Sequence, residues 1–175
     1  PTEKCHVIKN GCTSFPERKV YKKGDPIRII HQNTPWRGLS VLLGAMQLVK
    51  NPLIKLDVYS STEVYGEEFN EPNNFILENL NKYNMYVYPS IFEETSCISA
   101  IESLSAGLYS IVTNYGALYE TCAEFPMYVT YTKDFKILSQ TFAAAIEMAA
   151  ETLHENAIQE SLDMQQAFYK KYYNW

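Results

Sequence analysis

Two carboxylates, Glu94 and Glu102, stand eight positions apart in the segment SIFEETSCISAIESLSAG, the first ahead of an apolar helical pattern and the second inside it. A helix that begins near Ser96 presents unpaired backbone N–H groups and the positive end of its dipole, which suits an anion such as phosphate. Glu94 is then placed to accept hydrogen bonds from sugar hydroxyls, and Glu102, about two turns in, to accept a pair from a ribose diol. Arg37, in NTPWRG, adds a fixed cation whose forked donors match a diphosphate. One anion and two polyols describe a nucleotide sugar.

These residues need elements to hold them. PIRIIHQ reads as a strand and GLSVLLGAMQLVK as a helix with Leu39, Leu42, Leu43 and Met46 on its apolar face, ended by Asn51-Pro52. IKLDVYS is a second strand, followed by helix NFILENLNKYN, strand MYVYPS, helix CISAIESLSAG, strand LYSIVTN, a short helix near ALYETC and strand MYVTYT. Strands that alternate with helices predict βαβ units, hence an α/β, Rossmann-like, doubly wound parallel sheet flanked by helices. From Asp134 to Lys171 the chain is helical by composition, with Phe135, Leu138, Phe142, Ile146 and Ala149 as the buried stripe. In such a sheet ligands sit outside the carboxyl ends of the strands. The loops NTPWRG, IFEETS and YGA are therefore expected to converge on one crevice.

Composition narrows the function. A chain of 175 residues, 46% hydrophobic and 20% charged, is read as a single domain with a real core. With 15 basic against 20 acidic residues, its formal charge of -5 lacks the electrostatic footprint of a general nucleic-acid binder. No apolar run approaches a membrane span and the start PTEKCHVIKN has no signal-peptide pattern, so a soluble, cytoplasmic chain is expected. Cys5, Cys12, Cys97 and Cys122 are widely spaced without a CxxC pair, which indicates neither zinc nor a disulfide framework. Taken singly, each candidate has an ordinary reading: Arg37 as a surface cation, the Glu pair as a solvated carboxylate plus a helix-face residue, Cys97 as a small buried thiol, His31 as a structural imidazole and Gly116 as a turn residue. The tyrosines at 86, 88, 169, 172 and 173 read as strand and core fillers. It is the combination of three crevice loops that favours a site.

The segment YPSIFEETSCISAIESLSAG, with its Glu-x7-Glu spacing, resembles the donor-binding, C-terminal half of GT-B glycosyltransferases, specifically the retaining glycosyltransferase family 4. VTNYGALYET is similar to the Gly-rich loop and Glu that follow in that family, and Arg37-Gly38 falls where it has a basic residue plus Gly. VIKNG resembles its interdomain strand and turn. The likeness covers nearly the whole chain. It implies half of a GT-B fold spanning 1–175, as a piece of a two-domain, metal-independent enzyme that takes a UDP or GDP sugar as substrate and needs no cofactor. It further implies that Arg37 and Gly38 serve the diphosphate, that Glu94 contacts the transferred sugar as the catalytic carboxylate, and that Glu102 holds the ribose. Backbone amides near Thr95, Ser96, Cys97 and Ile98 complete the phosphate site. A saccharide, lipid or protein acceptor is bound through an N-terminal domain outside this chain, without which the domain alone is expected to be inactive.

His31-Gln32 stands where the family has Gly-Arg, and about fifteen residues between IKLDVYS and NFILENLNKYN replace a helix and a strand that help hold the base. Two other function classes remain: a non-catalytic nucleotide or nucleotide-sugar binding module, and a flavodoxin-like signalling domain. The latter relies on acidic residues at the end of its first strand, where PIRIIHQNTPWRG carries a basic one.

Overall fold

The computed structural model describes residues 10–60 and 72–174. The stretch VIKNG thus falls mostly outside the described residues, as does nearly all of the short segment after IKLDVYS. Strands β1 (Ile27–His31), β2 (Ile54–Val58), β3 (Met85–Tyr88), β4 (Tyr109–Thr113) and β5 (Met127–Val129) form one parallel sheet in the order β2-β1-β3-β4-β5. Between and after them run helices α1 (Leu39–Met46), α2 (Pro72–Asn79), α3 (Ile98–Ser105), α4 (Leu118–Cys122), α5 (Phe135–Thr152) and α6 (Asn156–Tyr172). This is the expected Rossmann-like, doubly wound architecture.

Strand alternation divides the core in two. Ile27, Ile29, Met85, Val87 and Ile111 point to one face, where α1 and α5 cover them with Val41, Leu42, Ala45, Leu138, Phe142 and Ile146. Ile30, Tyr86, Tyr88 and Val112 point to the other, against Ala100, Ile101 and Leu104 of α3 and Tyr169 of α6. Every side chain of β3 is buried, because this strand lies in the middle of the sheet with helices on both sides. The tyrosines expected as fillers at 86, 88, 169 and 173 are core residues, whereas Tyr172 is exposed.

The helical stripes need two corrections. In α1 the buried residues are Val41, Leu42 and Ala45, and Leu43 faces outward. α5 lies across the side of α1 that carries Val41 and the small Gly44, where Ser139 Oγ donates to the Val41 carbonyl at 3.0 Å. In α5 the inward stripe begins one turn later than expected, at Leu138, leaving Phe135 exposed beside the N-cap Asp134, which accepts from the amides of Lys136 and Ile137. The last third is helical as expected, in two helices separated by a break after Thr152.

α6 closes the back of α3. Gln165, itself buried, donates its amide to the carbonyls of Leu104 and Leu108 at 3.0 and 3.1 Å, satisfying one acceptor in the last turn of that helix and one in the turn that follows it. The amino end of α3, by contrast, has no side-chain cap at Cys97. It faces the carboxyl edge of the sheet, where β1 feeds leftward to β2 and β3 starts the other half. That reversal is the topological switch point at which open α/β sheets bind ligands.

Gly38 fixes how closely the two halves approach there. Its φ is +128°, and a Cβ built on it comes within 2.0 Å of the Pro89 carbonyl oxygen. Both strain and overlap oppose a side chain, so Gly38→Ala is expected to lower stability by at least about 2 kcal/mol. Urea unfolding of the variant measures this; an unchanged midpoint contradicts the packing.

Candidate functional site

The three expected loops do meet. The loop after β1 ends in a 3-10 turn, Pro35–Arg37, preset by proline and followed by the Gly38 N-cap of α1. The loop after β3 lies directly against it, with the Ile91 amide donating to the Arg37 carbonyl at 3.3 Å. The loop after β4 packs on the same point: the Ala117 amide donates to the Glu94 carbonyl at 2.7 Å, and Gly116, with φ of +60°, leaves no room for a Cβ beside the Glu94 backbone. Here the turn reading of Gly116 is correct, and its reason is the close approach to Glu94.

At the centre Arg37 and Glu94 form an ion pair. Arg37 Nη1 donates to both carboxylate oxygens of Glu94, at 2.8 and 3.0 Å, and Tyr88 OH donates to Oε1 at 2.5 Å. Glu94 is only 4% exposed, whereas the Arg37 side chain is 28% exposed. The guanidinium lies 4.4 Å from the centre of the Phe92 ring, which fixes its plane. Its Nε is buried without a hydrogen-bond partner. Desolvation opposes the Arg37 charge, but the Glu94 carboxylate and Tyr88 outweigh it and the guanidinium pKa is raised. Burial, with the neighbouring Cys97 and Glu94, raises the Tyr88 phenol so that it stays a donor.

Glu102 stands apart from this pair. It lies four residues into α3 and is buried, and its carboxylate has no hydrogen-bond partner among the described residues. Desolvation alone pushes its pKa up to about 7. A buried carboxyl without a donor is costly in its charged form and is relieved by any ligand that supplies hydroxyl donors.

Thr95 and Ile98 are exposed and Ser96 is half-buried, its Oγ accepting from Asn10 Nδ2 at 2.9 Å. With Cys97 they frame the uncapped amino end of α3. Cys97 is a buried thiol, its pKa raised first by burial, with Ser99 Oγ at 3.2 Å. This fits the ordinary reading and gives it no nucleophilic role.

Sequence reasoning missed three contributors. Tyr88 was read as a filler, yet it ends β3 on the face toward the site and reaches Glu94. Phe92 carried no signal beyond its place in the crevice loop. Gln32, at the position where the resembled family has an Arg, donates to the Ser99 carbonyl and Ser103 Oγ, both at 3.0 Å, tying the first loop to α3. His31 is only half satisfied: Nδ1 meets the Val87 carbonyl at 3.3 Å, Nε2 is buried without a partner, and burial lowers its pKa to about 4. Among the described residues no group of three or more His, Cys, Asp or Glu side chains is placed to hold a metal ion, and no helix is long and apolar enough to cross a membrane.

The sequence matches no family model and no curated protein. Solved structures with the same fold include glycosyltransferases. HepE from Anabaena, in complex with UDP-glucose, is 15% identical with a TM-score of 0.61, the likeness covering 86% of this chain and 45% of that one. A glycosyltransferase from Rickettsia africae is 14% identical at a TM-score of 0.63, over 87% of this chain and 44% of its own. The pneumococcal O-GlcNAc transferase GtfA, in complex with UDP and GlcNAc, is 15% identical at 0.61, over 93% and 35%. The chain therefore spans less than half the length of these proteins, and its fold is a Rossmann-like half of the GT-B fold.

The raised pKa of Glu102 has a consequence for stability. Between about 4.5 and about 7 the folded chain holds a proton that the unfolded chain has released, so stability falls as pH rises through this window. Glu102→Gln is expected to flatten that decline and to stabilise the chain at pH 8 by up to about 3 kcal/mol. Urea unfolding at pH 5 and pH 8 tests it; equal losses in both proteins count against the burial cost.

Proposed function

We propose that this chain is the donor-binding half of a retaining, metal-independent hexosyltransferase of the family 4 kind, which moves a sugar from a nucleoside-diphosphate sugar to an acceptor held mainly by another domain. What carries the reading is the meeting of an ion pair between half-buried Arg37 and buried Glu94 with an uncapped helix N-terminus at the switch point of the sheet. Glu102, buried without a donor on the same helix, supports it further.

Arg37 and the amides near Thr95, Ser96, Cys97 and Ile98 take the diphosphate, with Gly38 allowing the close approach of the loop. Glu94, held by Tyr88, accepts from hydroxyls of the transferred sugar, and Glu102 accepts from the ribose diol. As the glycosidic bond breaks, negative charge builds on the departing diphosphate, where the helix dipole and the guanidinium stabilise it. The acceptor hydroxyl enters on the face the diphosphate leaves, giving retention. UDP is the first nucleotide to try, because HepE and GtfA are seen with UDP or UDP-glucose.

A non-catalytic nucleotide-sugar binding module is the second reading. It is favoured by Gln32, whose amide is spent on α3, which leaves that position without a cation. Turnover separates the two. In the full-length protein, Glu94→Ala is expected to reduce turnover by at least about a hundredfold with the donor still bound; an unchanged rate supports the binding module.

The site itself is tested by calorimetric titration with UDP, UDP-glucose, GDP and GDP-mannose in the presence of a chelator. One nucleotide class is expected to bind without metal, with Arg37→Ala and Glu102→Ala each weakening its nucleotide sugar about tenfold or more. No binding by any of the four, or binding unaffected by both substitutions, removes the donor-site reading.

A further inference from the structure

The guanidinium proposed to meet the diphosphate is already neutralised. Arg37 Nη1 spans both oxygens of Glu94, and that carboxylate, 4% exposed, has almost no water with which to replace the contact. Tyr88 OH is the only other partner described for it. An anion that draws Arg37 away leaves a buried charge with a single neutral donor, a state that costs more than the ion pair contributed.

Two ligands meet this pair differently. An intact sugar nucleotide brings a diphosphate for Arg37 and hydroxyl donors for Glu94, so each partner of the broken pair is replaced by a group of the right kind. A free nucleoside diphosphate brings a terminal phosphate that ionises further near neutral pH, and it offers Glu94 no donor in the sugar's place. Its extra charge then lies toward a buried carboxylate of the same sign.

Resting on the proposed donor site, we propose that the Arg37–Glu94 ion pair sets ligand choice: Glu94 masks Arg37 against spent nucleotide, and only an intact nucleotide sugar unmasks it by satisfying both partners. The pair re-forms once the sugar has left, which weakens the hold on the product diphosphate. Glu94 is thus a specificity determinant in addition to its contact with the sugar. Tyr88 acts as a positioning residue, holding the carboxylate where it reaches Arg37.

The test is titration of the intact chain with UDP and UDP-glucose, and with GDP and GDP-mannose in parallel, on the native protein, Glu94→Gln, Arg37→Gln and the double variant. The native chain is expected to prefer the sugar nucleotide by about tenfold or more, and Glu94→Gln to tighten free nucleotide by about tenfold. That gain is absent in the Arg37→Gln background. Thermal unfolding checks that each variant is folded. If the native chain binds free nucleotide as tightly as its sugar ester, the masking idea is overturned whatever the variants do. It is equally overturned if Glu94→Gln leaves free-nucleotide affinity unchanged or weaker while Glu102→Ala, titrated alongside as a control for the donor site, lowers it; the donor site then stands without the masking. No binding of any nucleotide to any variant overturns the donor site along with it.

Discussion

Burial of β3 on both faces is the constraint from which the site follows. Met85, Tyr86, Val87 and Tyr88 have no exposure at all, so the strand cannot present chemistry along its length. Whatever it contributes must emerge at its carboxyl end. There the chain passes through Pro89 and Ser90 into the loop that carries Glu94, hard against Gly38 of the neighbouring loop. A parallel sheet needs helices on both faces, and those helices leave the strand ends as the place where polar side chains can gather.

What gathers there is electrically unusual. The cation and anion of the crevice cancel one another, while a second carboxylate, Glu102, is buried without a donor and holds its proton up to about pH 7. A core built for stability alone has no use for such a group, since an apolar side chain in its place removes the desolvation cost. His31 Nε2 and Arg37 Nε, both buried and unpartnered, add to the unsatisfied polarity at the same edge of the sheet. Local cost concentrated at one crevice is what a preorganised binding site looks like.

α3 ties the parts together. Gln32 and Asn33 of the first loop reach Ser99 and Ser103 on it, and Tyr86 OH joins the same cluster from β3. Gln165 of α6 closes its far end. The helix is held at its sides and its carboxyl end, and its amino end remains uncapped. Its orientation toward the crevice therefore rests on polar contacts as well as on the packing of Ile101 and Leu104.

Much of this was legible in order of appearance. Alternating strand and helix patterns specify a parallel sheet because only a crossover helix joins parallel neighbours, and the E-x7-E segment with its flanking strand and small-residue helix marks the candidate site. Which face of α1 turns inward was not legible, since Leu42 and Leu43 are equally apolar and the small Gly44 decides where α5 can approach. Nor was the Arg37–Glu94 pair: the two residues lie 57 positions apart, and their contact depends on two strands being neighbours across the switch point. Tyr88 and Gln32 changed meaning for the same reason, one becoming a donor to the carboxylate and the other a tie to α3. Sequence by itself determined the residue types and the local elements, because propensity and periodicity act over a few residues. Tertiary structure alone decided which charges meet, because that depends on strand order and on glycine-permitted close approach between segments far apart in the chain.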